Sequence, residues 1–173
     1  MKKWFSNGIT LFLIAGAITV VLFDGVGSNL LADGAAAPPF DLDKLGGGRV
    51  TSESLKGEVV MLDFWATWCA PCREEMPWLF EVAKEYEAKG VHFVAAASPD
   101  DDRPAVGVYA KDRLPGLERY AAFADVLTAQ RFKVAALPTL YVIGRDGKVL
   151  ASVQGEATEW RVRRWLNAAL ETK

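Results

Sequence analysis

The sequence has only two cysteines, no excess of positive charge, and no Gly-rich phosphate loop, repeat period or coiled-coil heptad. Two cysteines cannot form a disulfide scaffold in a domain of this size, so a bond between them would be chemically active rather than structural. The net charge is -2, which provides no basic field for nucleic acid. These absences argue against a disulfide-rich scaffold, a nucleic-acid-binding protein and a repeat protein.

The composition that remains is that of a folded domain. Of the 173 residues, 51% are hydrophobic and 24% are charged, which suits a packed core and argues against disorder. The length, with part of the N-terminus set aside, predicts one globular domain. We place this domain at residues 39–173.

The N-terminus predicts a membrane segment within residues 1–24. Two lysines precede an apolar stretch that runs from Trp4 to Phe23, and this run is about long enough to cross a bilayer. The basic residues in front and Asp24 behind orient the N-terminus towards the cytoplasm. We therefore expect a single-pass anchor in the inner (cytoplasmic) membrane, with the domain in the periplasm or its equivalent outside the cell.

A cleaved signal peptide is the alternative for the same segment. The small residues at 35–37 could serve as a cleavage site, although they lie far from the apolar core. Cleavage would give a soluble periplasmic protein. In both cases the domain is outside the cytoplasm, and the Gly- and Ala-rich residues 25–38 are predicted to form a flexible linker.

The two cysteines occur as Cys69-Ala-Pro-Cys72, after the apolar run 59–65 and at the start of a helical pattern. A Cys-x-x-Cys pair at a strand-to-helix junction is typical of redox-active dithiols. The helix N-terminus stabilises a thiolate at the first cysteine, and the spacing lets the second close a disulfide. Copper binding by two thiolates and two inert cysteines are the alternatives. A c-type haem attachment site is excluded, because it requires a histidine directly after the second cysteine and Arg73 occupies that position.

The rest of the domain predicts alternating strands and helices. Two short strands lie within 40–50, a helical turn at 51–57, a buried strand at 59–65, a helix from Cys69 to about Lys89 and a buried strand at 91–97. A loop with a helical piece at 105–111, a helix at 117–131, a hairpin of strands at 139–143 and 149–154, and a helix at 156–171 follow. This order predicts an α/β domain with a mixed central sheet and helices on both faces.

Two motifs resemble those of the thioredoxin superfamily. They are the stretch from Asp63 to Cys72 (DFWATWCAPC) and Leu137-Pro138-Thr139 before the hairpin. The N-terminal anchor, the segment 40–57 and the continuation 73–77 make the chain similar to the TlpA/ResA-like, membrane-tethered thioredoxins. The resemblance implies a thioredoxin fold, preceded here by the N-terminal membrane segment, and an active-site disulfide that cycles between partner proteins, with no cofactor and no metal.

The resemblance also implies roles for individual residues. Cys69 is expected to be the nucleophile and Cys72 the resolving thiol. Asp63, whose position in an apolar strand should raise its pKa, is expected to exchange a proton with Cys72. Pro138 is expected to follow a cis bond, packed against the cysteines, with the backbone of Leu137 binding an extended stretch of the partner. The alternatives are an Asp63 paired with a lysine, and a Pro138 that simply opens a strand.

Other residues near the cysteines are expected to contact the partner or the solvent. We predict that Trp68, Ala70 and Pro71 contact the substrate together with Leu137, and that Trp65 serves packing. The helix residues 73–75 and the aspartates 100–102 are interpreted as solvated surface, and His92 as structural.

The sequence therefore predicts a membrane-anchored thiol–disulfide oxidoreductase. It is expected to reduce specific protein disulfides, in cytochrome c-type biogenesis or copper-site assembly, with electrons from a membrane thiol donor. The alternative function is a copper-binding chaperone that uses the same two thiolates. A thiol peroxidase is less consistent with the sequence, because its reactive cysteine lies in a differently built loop.

Overall fold

A computed structural model describes residues 30–172 of the protein. These residues form seven strands and four α-helices. The strands are β1 (Asp41–Lys44), β2 (Arg49–Thr51), β3 (Val59–Trp65), β4 (Val91–Ala97), β5 (Ala121–Phe123), β6 (Thr139–Ile143) and β7 (Val149–Gln154). The helices are α1 (Ala70–Glu87), α2 (Arg103–Asp112), α3 (Val126–Arg131) and α4 (Glu159–Glu171), and a 3-10 turn spans Leu117–Arg119.

One mixed sheet contains all seven strands in the order β2-β1-β5-β4-β3-β6-β7. The strands β3, β4 and β5 are parallel, whereas β6 runs antiparallel to β3. Every residue of β3 is buried, as its continuous apolar run predicts for a central strand covered on both faces. The carboxyl end of β3 therefore meets the amino end of β6 at one edge of the sheet.

Three helices pack on one face of the sheet. The core on that side contains Met76 and Leu79 of α1, Val106 of α2 and Val162 and Leu166 of α4. The opposite face is covered by residues 30–40, by Leu55, and by Phe132, which follows α3. The predicted mixed sheet is confirmed, but loops and one short helix cover most of its second face.

The predicted helix over 117–131 is wrong. The segment contains a 3-10 turn, the strand β5 and the short helix α3. Alanine favours helices in isolation, but Ala121 and Ala122 are buried beside β4, paired with Ala95 and Ala96. Tertiary pairing has overridden the local propensity. The predicted helical turn at 51–57 is a series of turns ending at Gly57, whose φ of 83° closes it.

The described part of the predicted linker is attached to the domain. Gly34 donates a hydrogen bond to the carbonyl of Val149, and Ala37 donates one to that of Gly147. Ala36 forms a bridge with Lys148, and Leu30 is buried. Residues 30–38, which belong to the predicted flexible linker 25–38, are thus hydrogen-bonded to the β6–β7 hairpin.

The predicted anchor at residues 1–24 lies outside the described residues. Between residues 30 and 172, no helix is long and apolar enough to cross a membrane.

Candidate active site

The two cysteines form a disulfide at the N-terminus of α1. Cys69 is the N-cap residue, and its Cα lies 5.3 Å from that of Cys72. Cys69 is 5% exposed and Cys72 1% exposed, so the first sulfur lies nearer the surface. The backbone amide of Cys72 donates a hydrogen bond to Sγ of Cys69 at 3.3 Å. An amide and a helix N-terminus both favour negative charge on that sulfur when the bond is open.

The turn that leads into the disulfide is tied to the loop after β4. Asp101 accepts two hydrogen bonds from Thr67, one from its amide at 2.7 Å and one from its hydroxyl at 2.6 Å. Arg73 donates a hydrogen bond to the carbonyl of Thr67 at 2.9 Å. The interpretation of Asp101 as solvated surface is wrong, because its carboxylate positions the residue two places before Cys69.

Replacing Asp101 with alanine should therefore loosen the active-site turn. The two hydrogen bonds from Thr67 and a third from the amide of Asp102 would be lost, which should lower the unfolding free energy by about 1–3 kcal/mol. Urea denaturation measures this loss, and the rate at which a small dithiol reduces the Cys69–Cys72 disulfide measures the change at the site. Asp100→Ala is the control, since within residues 30–172 the Asp100 carboxylate accepts a hydrogen bond only from the Ser98 hydroxyl. Equal effects of the two substitutions would contradict the assigned role of Asp101.

Pro138 lies beside the end of β3. The Leu137–Pro138 peptide bond is cis, and Pro138 is buried. The next residue, Thr139, pairs with Phe64, which places Pro138 at the edge of the sheet from which the disulfide turn leaves. Leu137 is partly buried and packs against the core on both sides of the sheet. Binding of a partner by the Leu137 backbone stays a prediction.

Asp63 is a buried acid in the middle of β3. It is 1% exposed, and within residues 30–172 its Oδ1 has no hydrogen-bond partner and no lysine forms an ion pair with it. Burial raises the pKa of Asp63 well above its ordinary value, and the negative charge of Glu75 raises it further. The alternative of a lysine-paired carboxylate is therefore not what the structure shows.

Glu75 is the second buried acid of the site, and its assignment to solvated surface is wrong. It is 3% exposed, and its Oε1 accepts a hydrogen bond from the amide of Ala157 at 3.3 Å. Burial raises the pKa of Glu75 to about 7, the Ala157 amide lowers it, and the charge of Glu156 raises it. The burial of Glu75 could have been predicted from helical spacing. Cys72, Glu75 and Met76 occupy positions i, i+3 and i+4, which share one face of a helix, and two of these residues were expected to be buried.

The remaining predicted contact residues differ in exposure. Trp68 is 56% exposed immediately before Cys69, Ala70 is exposed and Pro71 is partly exposed. Trp65 is fully buried, and its ring lies 5.2 Å from that of Tyr109, centroid to centroid. Trp65 thus has the predicted packing position, and Trp68 is accessible to a partner.

Comparison with known proteins decides the family. Residues 32–168 match the Redoxin family. The chain belongs to this family. This redoxin is 33% identical to the thiol-disulfide oxidoreductase ResA of Bacillus subtilis (strain 168), over 96% of its own length and 95% of that protein. It is 32% identical to the ResA of Bacillus anthracis, over 91% of each chain.

A solved structure agrees with the relatives. A thioredoxin-family thiol:disulfide interchange protein from Chlorobium tepidum TLS superposes on this redoxin with a TM-score of 0.69. The two are 28% identical, and the match covers 81% of this chain and 99% of the other. The fold is therefore the thioredoxin fold. With the Cys69–Cys72 disulfide, the redoxin is a thiol–disulfide oxidoreductase of the TlpA/ResA-like group.

Proposed function

We propose that this redoxin is an extracytoplasmic, membrane-attached oxidoreductase that reduces specific protein disulfides, in cytochrome c maturation or copper-site assembly. The observation that carries the proposal is the Cys69–Cys72 disulfide at a helix N-terminus, with an amide directed at Sγ of Cys69. The likeness to thiol-disulfide oxidoreductases named ResA supports exchange with disulfide substrates, and the apolar run before Asp24 supports attachment to the membrane.

In the proposed cycle, the reduced enzyme begins with a thiolate on Cys69. This thiolate attacks a substrate disulfide and forms a mixed disulfide, and one substrate sulfur leaves. Cys72 then attacks Sγ of Cys69, releases the reduced substrate and closes the disulfide seen in the structure. Asp63 is proposed to exchange the proton of Cys72. A membrane thiol donor returns two electrons.

Three features beside the disulfide are proposed to bind the partner. Trp68 presents a large ring beside Cys69, and Ala70 and Pro71 form the uncharged surface between the cysteines. The backbone at Leu137 lies at the same edge of the sheet and is proposed to pair with an extended segment of the substrate. Aromatic rings near the centre of an interface supply a large share of binding energy.

Replacing Cys72 with serine should trap the substrate. Cys69 can still attack, but serine cannot resolve the mixed disulfide, so the complex accumulates. The trapped protein is detected by non-reducing electrophoresis of the full-length variant expressed in a bacterium that makes c-type cytochromes, and it is identified by mass spectrometry.

The double substitution Cys69→Ser with Cys72→Ser is the matched control, because it has no attacking sulfur. Trapping of an apocytochrome or a copper-site protein supports the proposal. The absence of any adduct specific to the single variant contradicts it. Stoichiometric Cu(I) binding that survives competing thiols would instead favour the copper chaperone.

A further inference from the structure

We propose that Asp63 and Glu75 form a coupled acid pair that shares one proton, so that Glu75 takes up a proton from the solvent whenever Asp63 gives one to Cys72. Glu75 does not contact the reacting sulfurs in this proposal. It is a positioning residue, because its charge keeps a proton on Asp63 until Asp63 gives that proton to Cys72. The inference rests on the proposed function, which supplies the redox step that moves the proton.

The two carboxyl groups lie in the same layer, between β3 and α1. Side chains alternate along a strand, and Met61 and Trp65 belong to the core cluster that contains both cysteines. Asp63, between them, points to that same side. Glu75 lies three residues after Cys72, on the face of α1 that packs on the sheet. The disulfide and both acids therefore share one buried layer.

Nothing in residues 30–172 neutralises a charge on the pair. The buried oxygens Oδ1 of Asp63 and Oε2 of Glu75 have no hydrogen-bond partner there. The strands on either side of β3 place Ala95 and Leu140 opposite Asp63, and both are apolar.

The loop before α4 adds only one further charge near the pair, the carboxylate of Glu156, which is exposed. The first two cations after this loop are in α4. The guanidinium of Arg161 stacks on the ring of Trp165, 4.8 Å from its centroid, and Arg163 is bound to Glu85 and Glu159. The surroundings thus add negative charge and no compensating cation.

Two buried carboxylates without a cation cannot both ionise cheaply, so the first ionisation opposes the second. The charge of Glu75 is one cause that raises the pKa of Asp63, and burial raises the pKa of Glu75 to about 7. Above about pH 7, and until Asp63 also ionises, the pair carries a single negative charge. In the disulfide form we assign that charge to Glu75, because the charge of Glu75 adds to the burial that raises the pKa of Asp63, whereas the Ala157 amide lowers the pKa of Glu75.

The redox step balances with this charge kept constant. A thiolate of the electron donor attacks Sγ of Cys69, the Cys69–Cys72 bond breaks, and Cys72 leaves with the electron pair as a thiolate. Asp63 gives its proton to that sulfur and becomes the carboxylate, and Glu75 takes a proton from water. The second donor thiolate then attacks the donor sulfur of the mixed disulfide, and Cys69 leaves as a thiolate.

Glu75 lies beside a surface loop, whereas Asp63 does not. Its Oε1 accepts from the amide of Ala157, in the loop that carries the exposed Glu156. Asp63, inside the central strand, has no comparable link to a surface loop. Of the two acids, Glu75 is therefore the one next to a surface loop, and the exchange with water is assigned to it.

The test is the pH titration of the carboxyl carbons in the disulfide form of the full-length protein, by NMR with ¹³C-labelled aspartate and glutamate. Coupled groups each report both proton steps, so the curves of Asp63 and Glu75 should show two inflections at the same two pH values. Glu75→Gln should shift the Asp63 titration down by about one pH unit or more, and Asp63→Asn should do the same for Glu75.

Glu74→Gln is the control, because Glu74 is exposed on the same helix and its loss should leave both curves unchanged. One inflection in each wild-type curve, at two unrelated pH values, would overturn the pair, and this readout needs no substitution. An Asp63 curve that does not move in Glu75→Gln would also overturn it. Since no redox partner is present, failure here is distinguishable from failure to trap a substrate with Cys72→Ser.

Discussion

Replacing Cys69 with serine is expected to abolish insulin reduction by the full-length enzyme. The attacking group in thiol–disulfide exchange is a thiolate, and a serine hydroxyl stays protonated at neutral pH. In the structure, Cys69 is the N-cap residue of α1, and its Sγ accepts a hydrogen bond from the backbone amide of Cys72. The rate of insulin precipitation with a small dithiol as electron source measures the loss, which should reach the rate without enzyme.

The comparison with Cys72→Ser separates the two sulfurs. That variant should lose turnover but still form a mixed disulfide with a model peptide disulfide, whereas Cys69→Ser should form none. Glu74→Gln, an exposed change on the same helix, should retain full turnover. Insulin reduction that survives the loss of Cys69 would refute the assignment of the nucleophile.

Stability should fall as the pH rises between 4.5 and about 7, because of Glu75. Burial raises the pKa of Glu75 from 4.5 to about 7, so the folded state binds more protons than the unfolded state across this window. The loss is about 2–3 kcal/mol of unfolding free energy, allowing for partial solvent screening, and it is complete above pH 7. The raised pKa of Asp63 acts in the same direction.

Urea denaturation at several pH values measures this slope for the wild type and for Glu75→Gln. Glutamine does not titrate, so the variant should lose the decline assigned to Glu75, whatever the fixed cost of its buried amide. Glu74→Gln should keep the wild-type slope. A variant curve parallel to that of the wild type would show that Glu75 does not titrate in this range.

The sequence alone was sufficient for the central strand and the redox pair. The apolar run 59–65 predicts a strand that is buried on both faces. The Cys-x-x-Cys pair at the start of a helix is a local arrangement, and its chemistry depends on residues close in sequence. The hairpin of β6 and β7 was equally predictable, because the turn residues between the strands define it locally. The Redoxin match confirms the family that these motifs indicated.

Tertiary structure decided the features that depend on what lies opposite a residue. Ala121 and Ala122 form a strand because β4 offers them an unpaired edge, and no local signal outweighed their helical propensity. Asp101 looked like one of three solvated aspartates, yet it binds the turn before Cys69 across 34 residues of sequence.

Glu75 is the clearest case of this division. The helical spacing places Glu75 on the same face as Cys72 and Met76, but a glutamate is usually exposed, and the local sequence does not show the loop that covers it. The sequence by itself determined that a disulfide could form at the N-terminus of a helix, because the required geometry depends only on the four residues 69–72. Only the packing of α1 on β3 decided that a second acid would be buried with Asp63, because burial depends on contacts distant in sequence.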